Sequence, residues 1–181
     1  MSDYSNTSNS ENGGDMDTLK NKNFPNISLP NQDGNLLNLL RLDTFRMVLY
    51  FYPMTGRPDR PLPDNWNNIP GAKGCTIQTC SFRDNYDEII SLNAVPIGIS
   101  CQSVDDNKEM TSRLKVPYDV LSDEKLELSN ELNIPTFLVD SKIFLRRITL
   151  IVEKKIIKKV FYPINDINKH IEEVLKWLKE N

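Results

Sequence analysis

The chain of 181 residues carries 22 basic and 25 acidic side chains, which gives a net charge of −3, and 39% of its residues are hydrophobic. This charge balance gives no electrostatic reason to expect a nucleic-acid partner. The basic residues between positions 142 and 159 lack the interleaved aromatic side chains of a base-stacking platform, so we interpret them as a solvated hairpin. No run approaches the ~18 apolar residues of a transmembrane helix, so we predict no membrane association.

Residues 1–22 are rich in Ser, Asn, Asp and Gly, and Met16 and Leu19 are their only aliphatic side chains beyond the initiator. Such a segment cannot offset its ordering entropy by apolar burial, so we predict a disordered acidic and polar tail. The tail has neither the apolar stretch of a secretory signal nor the Arg-rich pattern of a transit peptide, which favours a cytoplasmic protein. Residues 23–181 have a suitable length for one domain.

An N-terminal β-hairpin is predicted first, because the turn signal Asp33-Gly34 lies between the strand-like segments 26–29 and 35–39. Apolar and β-branched runs then predict buried strands over three ranges, 47–52, 94–100 and 118–121. Each of these strands is followed by a segment with helical periodicity. Alternation of strands and helices implies right-handed crossovers and parallel pairing.

The pattern changes near the C-terminus, where three strand-like runs follow one another at 136–139, 144–152 and 156–162. Short connections predict that these strands are antiparallel. A last helix, with its apolar stripe beginning at Ile164, ends near Glu180, and we expect its lone His170 at the surface. The assembled prediction is an α/β, thioredoxin-like fold with a central mixed β-sheet flanked by helices.

Two of the three cysteines, Cys75 and Cys80, lie in the segment 69–87, behind a Pro-Gly break in regular structure. From Lys73 onward, apolar residues recur at helical spacing, so Cys75 is predicted in the first turn of a helix. The first amides of a helix lack internal partners and carry the positive end of its dipole, which favours a thiolate there. We therefore predict a reactive sulfur.

The order of strand, loop, cysteine and helix closely resembles the peroxiredoxins, in particular the Q-type branch, also called bacterioferritin-comigratory proteins. The matching motifs are Gly74-Cys75-Thr76, Cys80 and the segments 81–84 and 121–124, and the resemblance covers roughly residues 23–180. It implies that Cys75 attacks the peroxide and that Cys80 resolves the resulting sulfenic acid. It also implies an arginine on a later strand, for which Arg147 is the candidate, to stabilise the thiolate and the transition state.

The resemblance further implies a peroxide substrate and a thioredoxin-like or glutaredoxin-like reductant, without any cofactor or metal, in a monomer or weak dimer. On an ideal helix, the Cα atoms of Cys75 and Cys80 lie roughly 8.6 Å apart. Disulfides need a Cα separation of at most about 7 Å. A disulfide between the two cysteines therefore requires local unwinding of the helix in each cycle.

The sequence departs from the Q-type pattern before the reactive cysteine. Positions that usually hold a proline and a threonine hold Asn68 and Ala72, and 22 positions separate Pro53 from Cys75 in place of the usual seven. The extra residues form a predicted long loop, here called the insertion, over residues 54–68. Thr55 follows the end of the strand closely, so we predict that its hydroxyl replaces the missing donor to the peroxide.

Other functions are compatible with the sequence. A thiol–disulfide oxidoreductase or redox relay would share the fold, although such proteins normally use a Cys-x-x-Cys spacing rather than the Cys-x4-Cys spacing seen here. A non-catalytic redox-sensing protein that functions through its tail is a third hypothesis. Cys101, at the end of a predicted strand, is interpreted as a packing residue. The three cysteines and His170 lack the spacing of a structural zinc site.

Overall fold

The computed structural model describes residues 14–181, beginning with a 3-10 helix at Met16–Leu19. Strands β1 (Ser28–Pro30) and β2 (Leu36–Asn38) pair antiparallel, with Ser28 opposite Asn38. Gly34 in their connection has a φ of 81°, a conformation that a residue without Cβ adopts readily. The predicted N-terminal hairpin is confirmed.

The rest of the domain follows the predicted alternation of strands and helices. Its first half contains a 3-10 helix at Leu39–Arg41, β3 (Arg46–Phe51), a 3-10 helix at Trp66–Asn68, α1 (Cys75–Asp84), α2 (Tyr86–Ser91), β4 (Ala94–Ser100) and α3 (Val104–Leu114). Its second half contains β5 (Val120–Ser122), α4 (Glu127–Glu131), β6 (Thr136–Val139), β7 (Lys142–Leu145), β8 (Ile148–Glu153), β9 (Ile156–Phe161) and α5 (Ile167–Glu180).

The central sheet has the strand order β5-β4-β3-β8-β9. Strands β3, β4 and β5 are parallel, whereas β8 runs antiparallel to both β3 and β9. The mixed sheet predicted from the change of pattern near the C-terminus is therefore confirmed. Strands β6 and β7 form a separate two-stranded sheet.

Strand β3 lies at the centre of the sheet, and all six of its residues are buried. Its side chains alternate between two apolar clusters because successive strand residues point to opposite faces. Leu49 and Phe51 pack with α4 and the N-terminal segment, whereas Val48 and Tyr50 pack with α1, α3 and α5. Each large apolar side chain buried in this way contributes roughly 1.5–3 kcal/mol relative to an exposed one.

The prediction of a disordered tail is wrong for residues 16–22, which pack on the domain. Met16 and Leu19 are only 7% and 6% exposed and belong to the apolar cluster under β3. The backbone of this segment also pairs with β9, since the Asn21 amide donates to the Ile157 carbonyl and the Ile157 amide to the Lys22 carbonyl. These apolar contacts and backbone hydrogen bonds together hold residues 16–22 on the domain. The prediction for residues 1–13 lies outside the described residues.

Two predicted elements are each divided in the structure. The helix that starts at Cys75 ends at Asp84, because the Asn85 side chain donates to the Ser81 carbonyl and the chain turns there into α2. The predicted strand 144–152 is interrupted at Arg146 and Arg147, where the chain leaves its pairing with β6 and joins β3. Within residues 14–181, no helix is both long and apolar enough to cross a lipid bilayer.

Candidate active site

Cys75 is the first residue of α1, where the sequence predicts it. The preceding Gly74 has a φ of 100°, a left-handed conformation that strains any residue with a Cβ. Gly74 offers no side chain to cap the helix, and the first helical bond runs from the Gln78 amide to the Gly74 carbonyl. The free amides and the helix dipole therefore surround the sulfur with positive potential.

The Cys75 side chain is almost entirely buried, with 3% of its surface exposed. Its thiol donates to the carbonyl oxygen of Ala72 at 3.5 Å. On the other side, Nη2 of Arg147 lies 3.2 Å from the sulfur, within hydrogen-bond distance. A permanently charged guanidinium at this distance stabilises negative charge on the sulfur and on an oxygen next to it.

Arg147 is buried, although it lies between β7 and β8 rather than within a strand as predicted. Nη2 of Arg147 also donates to the carbonyl oxygens of Gly71 at 3.2 Å and Lys73 at 3.1 Å. The loop before α1 therefore fixes the plane of the guanidinium. The neighbouring Arg146 points away and stacks over the Phe137 ring, as strand-like alternation predicts.

Gln78 is a site residue that the sequence reasoning missed. It is 1% exposed, and its Oε1 accepts a 2.5 Å hydrogen bond from Nη1 of Arg147. Its Nε2 is buried and has no partner among the residues that the structure describes. The signal was the spacing from Cys75, since residues three apart share one face of a helix.

Cys80 lies near the middle of α1 and is half-buried. All three cysteines are free thiols in this structure. Because α1 is continuous from Cys75 to Asp84, the separation expected for an ideal helix applies, and the two thiols cannot bond without unwinding. The pairing of Cys75 with Cys80 stays a prediction.

Thr55 is buried just beyond β3, and the structure ties it to Gln102, the second residue after β4. The Thr55 amide and hydroxyl both donate to Oε1 of Gln102, at 2.9 and 3.2 Å. The Gln102 side-chain amide donates back to the Thr55 carbonyl at 3.1 Å. None of these hydrogen bonds reaches Cys75, so the predicted donation from Thr55 to the peroxide stays a prediction.

The insertion is anchored at both of its ends. Near its start, Arg57 bonds to Asp105 and Asp106 at the beginning of α3, each at 3.1 Å. At its end, the 3% exposed Trp66 packs edge-on against Phe144 of β7, with ring centroids 4.9 Å apart. The predicted loop is therefore a fixed part of the domain surface. Ala72, which stands at the position where the Q-type pattern has a threonine, is fully buried in the apolar cluster around Trp66.

Cys101 is half-buried and lines a cleft of about 790 Å³ between the insertion and the β6–β7 sheet. Burial, and after it the nearby charge of Asp123, raises the pKa of Cys101 to about 12. A thiol with this pKa is almost entirely protonated near neutral pH and attacks peroxides poorly. Its environment supports the interpretation of Cys101 as a packing residue.

His170 is buried in α5 at 1% exposure, so the prediction of a surface position is wrong. Its Nε2 lies 2.8 Å from the Thr149 hydroxyl, and its ring packs edge-on against Phe82 and Phe161. Position 170 lies one turn after Ile167 and one before Val174, on the apolar stripe of the helix. Burial, and after it the charge of Arg147, lowers the pKa of His170 to about 4.

Comparison with known proteins gives a consistent result. The sequence pattern of the AhpC/TSA family matches residues 67–160. The chain is 31% identical over 161 residues to the chloroplastic peroxiredoxin Q of Arabidopsis thaliana, which covers 88% of this chain and 67% of the relative. It is 30% identical over 156 residues to the chloroplastic peroxiredoxin Q of Populus jackii, which covers 86% of this chain and 65% of the relative. The chain thus spans about two thirds of the length of these relatives.

Among solved structures, the peroxidoxin BcpB from Mycobacterium tuberculosis superposes with a TM-score of 0.74. The match covers 90% of this chain and 97% of the other, at 22% sequence identity. At this identity the likeness concerns the fold, and it confirms the predicted thioredoxin-like α/β architecture.

Proposed function

The chain belongs to the AhpC/TSA family, in its peroxiredoxin Q branch, and from this premise we propose that it is a thiol-dependent peroxidase that reduces hydrogen peroxide and organic hydroperoxides. The observation that carries the proposal is the 3.2 Å contact between Nη2 of Arg147 and the sulfur of Cys75 at the first residue of α1. It combines a nucleophile, a fixed cation and unpaired helix amides at one point. These are the groups that nucleophilic cleavage of an O–O bond requires.

In the first step, the Cys75 thiolate attacks the distal oxygen of the peroxide. A sulfur–oxygen bond forms, the O–O bond breaks, and the leaving oxygen takes up a proton to depart as water or an alcohol. Cys75 is oxidised by two electrons to a sulfenic acid. Arg147 can stabilise the thiolate before attack and the charge that develops on the leaving oxygen.

In the second step, the Cys80 thiol condenses with the sulfenic acid of Cys75. The disulfide forms, and the sulfenic hydroxyl leaves with the thiol proton as water. The half-buried position of Cys80, on the same helix as Cys75, supports this assignment. Residues of α1 between the two cysteines must leave the helical conformation for the bond to form.

In the third step, a dithiol protein of the thioredoxin or glutaredoxin type reduces the disulfide by thiol–disulfide exchange. This partner is proposed from the chemistry of disulfide reduction and from the resemblance to the Q-type peroxiredoxins. The predictions of a monomer or weak dimer and of a cytoplasmic location remain predictions.

Burial of Cys75 favours a peroxidase over the other two hypotheses. A thiol–disulfide oxidoreductase must bring its attacking sulfur to a disulfide on another protein, whereas the Cys75 side chain is only 3% exposed. A small peroxide can reach such a sulfur far more easily. A purely redox-sensing protein would not need Arg147 fixed by three carbonyl and side-chain acceptors beside the sulfur.

A coupled peroxide-consumption assay with a dithiol reductant tests the proposal. The wild type and Cys101→Ser should turn over at similar rates, because the Cys101 thiol lies outside the reaction. Cys75→Ser should lose turnover completely. Full activity in Cys75→Ser would overturn the proposed function, and disulfide reductase activity without peroxide consumption in the wild type would favour the redox relay.

A further inference from the structure

Two buried tyrosines hold the middle of α1 through a hydrogen-bond network separate from the Arg147 site. The Tyr118 hydroxyl, on the segment before β5, donates to the backbone carbonyl of Thr79 at 2.9 Å. Because its proton is used in this way, its oxygen accepts from the Tyr50 hydroxyl, 2.9 Å away on β3. Tyr50 also lies 3.3 Å from the Thr79 hydroxyl. One residue of α1 is thus fastened at both its backbone and its side chain.

The network is buried and stays protonated. Tyr50 and Thr79 are fully buried, and Tyr118 is 5% exposed. Burial raises the pKa of both tyrosines well above the ordinary value, so each hydroxyl remains a donor over the whole physiological range. Phe82 stacks on the Tyr50 ring with centroids 4.5 Å apart, which fixes the next turn of α1 as well.

The position of Thr79 next to Cys80 connects this hydrogen-bond network to formation of the Cys75–Cys80 disulfide. Thr79 directly precedes Cys80, so its carbonyl belongs to the peptide group that must turn when the Cys80 side chain moves towards Cys75. The two cysteines lie on nearly opposite faces of the ideal helix. While Tyr118 holds the Thr79 carbonyl, the Cys80 thiol stays on the face of α1 opposite to Cys75.

The two ends of the segment between the cysteines are held unequally. The first turn is fastened by Arg147, which donates to Gly71, Lys73, Gln78 and the Cys75 sulfur. The Thr79 end has one backbone bond to a tyrosine and a weak contact between hydroxyls. Buried hydrogen bonds to a charged group are stronger than neutral ones, so the Thr79 end should open first.

We propose that Tyr118 is a positioning residue that latches Cys80 in α1 through the Thr79 carbonyl and thereby limits the rate of the Cys75–Cys80 disulfide. The proposal rests on the proposed function and concerns its second step, in which Cys75 sulfenic acid and the Cys80 thiol give a disulfide and water. A closed latch prolongs the life of the sulfenic acid. A second peroxide then has more time to oxidise it to a sulfinic acid, itself being reduced to water or an alcohol.

Tyr118→Phe removes only the hydroxyl that holds Thr79. Tyr86→Phe is the matched control, because the Tyr86 ring stacks on Tyr118 at 6.2 Å but its hydroxyl takes no part in the network. Rapid mixing of the reduced protein with hydrogen peroxide, followed by acid quench and alkylation, would give separate rates for sulfenic acid and disulfide formation. Mass spectrometry would give the sulfinic acid yield at excess peroxide.

In Tyr118→Phe, we expect the disulfide to form roughly 3- to 10-fold faster, because one restraining hydrogen bond is lost. The rate of sulfenic acid formation should be unchanged. The sulfinic acid yield should fall, and Tyr86→Phe should behave like the wild type. A disulfide rate in Tyr118→Phe equal to or slower than that of the wild type would overturn the proposal.

Hydrogen exchange separates failure of this proposal from failure of the proposed function. If the wild type forms no sulfenic acid with peroxide, the peroxidase assignment is wrong, but the latch can still be measured in the reduced protein. The amides of residues 79–83 should exchange faster in Tyr118→Phe than in Tyr86→Phe. Equal protection in the two variants would show that no latch exists.

Discussion

Gln78 and Arg147 are joined by a 2.5 Å hydrogen bond between buried side chains, from Nη1 of the guanidinium to Oε1 of the amide. Gln78 lies on α1, one turn after Cys75, whereas Arg147 lies at the junction of β7 and β8. The cation is thus aligned by the same helix that carries the Cys75 sulfur. Any movement of the first turn of α1 therefore also displaces the guanidinium that we propose to stabilise the charge on the Cys75 sulfur.

The first prediction concerns this cation. Arg147→Met should slow peroxide attack at least about 100-fold, or ~2.7 kcal/mol, because the developing charge loses a fixed donor in a buried site. The measurement is the second-order rate constant for loss of the Cys75 thiol. Arg146→Met is the matched control, since Arg146 stacks on Phe137 and should leave the rate unchanged. Equal effects of the two variants would contradict a specific role for Arg147.

The second prediction concerns the product of the first turnover. Stoichiometric peroxide should convert the three free thiols into one free thiol and one intramolecular disulfide between Cys75 and Cys80. The species should migrate as a monomer on a non-reducing gel, and peptide mapping after alkylation should leave only Cys101 modified. A disulfide-linked dimer, or a Cys75–Cys101 linkage, would assign the resolving role to another thiol.

The third prediction tests the role that the sequence suggests for Thr55. During the reaction, the Thr55 hydroxyl would break its hydrogen bond to Gln102 and donate to a peroxide oxygen instead. Thr55→Val should then slow peroxide attack at least about tenfold, or ~1.4 kcal/mol. Thr76→Val, at an exposed position of α1, should have a smaller effect. If Thr55→Val lowers the melting temperature but leaves the rate of peroxide attack unchanged, the hydroxyl has only a structural role, through its hydrogen bond to Gln102.

The fourth prediction is a pH dependence of stability that arises from His170. Its pKa is about 4 in the folded protein, mainly through burial, against roughly 6.5 when exposed in the unfolded chain. Between these values the unfolded chain binds more protons, so the free energy of unfolding should fall as the pH drops from about 6.5 to about 4. The loss should reach roughly 3 kcal/mol.

Denaturant unfolding of the wild type and His170→Gln at several pH values would measure this contribution. Other titrating groups, such as the buried Asp123, occur in both proteins and cancel in the difference. The difference in unfolding free energy should therefore shrink as the pH falls below about 6.5. A difference that is constant from pH 7 to pH 4 would mean that His170 does not titrate in this window.

Strand β3 and the start of α1 could be predicted from the sequence because local patterns determine them. The signal for β3 is an apolar run that ends at a proline. The signal for the start of α1 is a Pro-Gly break followed by apolar residues at helical spacing. Even Arg147 could be named, although only through resemblance to a family. Its exact place depends on where the chain changes from one sheet to another, which no local pattern encodes.

The sequence does not reveal that Gln78 belongs to the site, and it wrongly predicts a surface position for His170, because polar side chains are usually exposed. Each lies on an apolar face of its helix, but its burial depends on a partner distant in sequence, Arg147 for Gln78 and Thr149 for His170. Most buried polar side chains have at least one such hydrogen-bond partner. Helical spacing from Cys75 and from the apolar stripe of α5 was the available signal.

The aromatic anchor of the insertion, Trp66, gives the protein an optical reporter near the Cys75 sulfur. Trp66 is one of two tryptophans, and it packs in one cluster with Ala72, whose carbonyl oxygen lies 3.5 Å from the Cys75 sulfur. Indole emission responds to the polarity and packing around the ring. In a Trp177→Phe background, the fluorescence of Trp66 alone would follow oxidation and opening of the first turn of α1 in real time, without any attached dye.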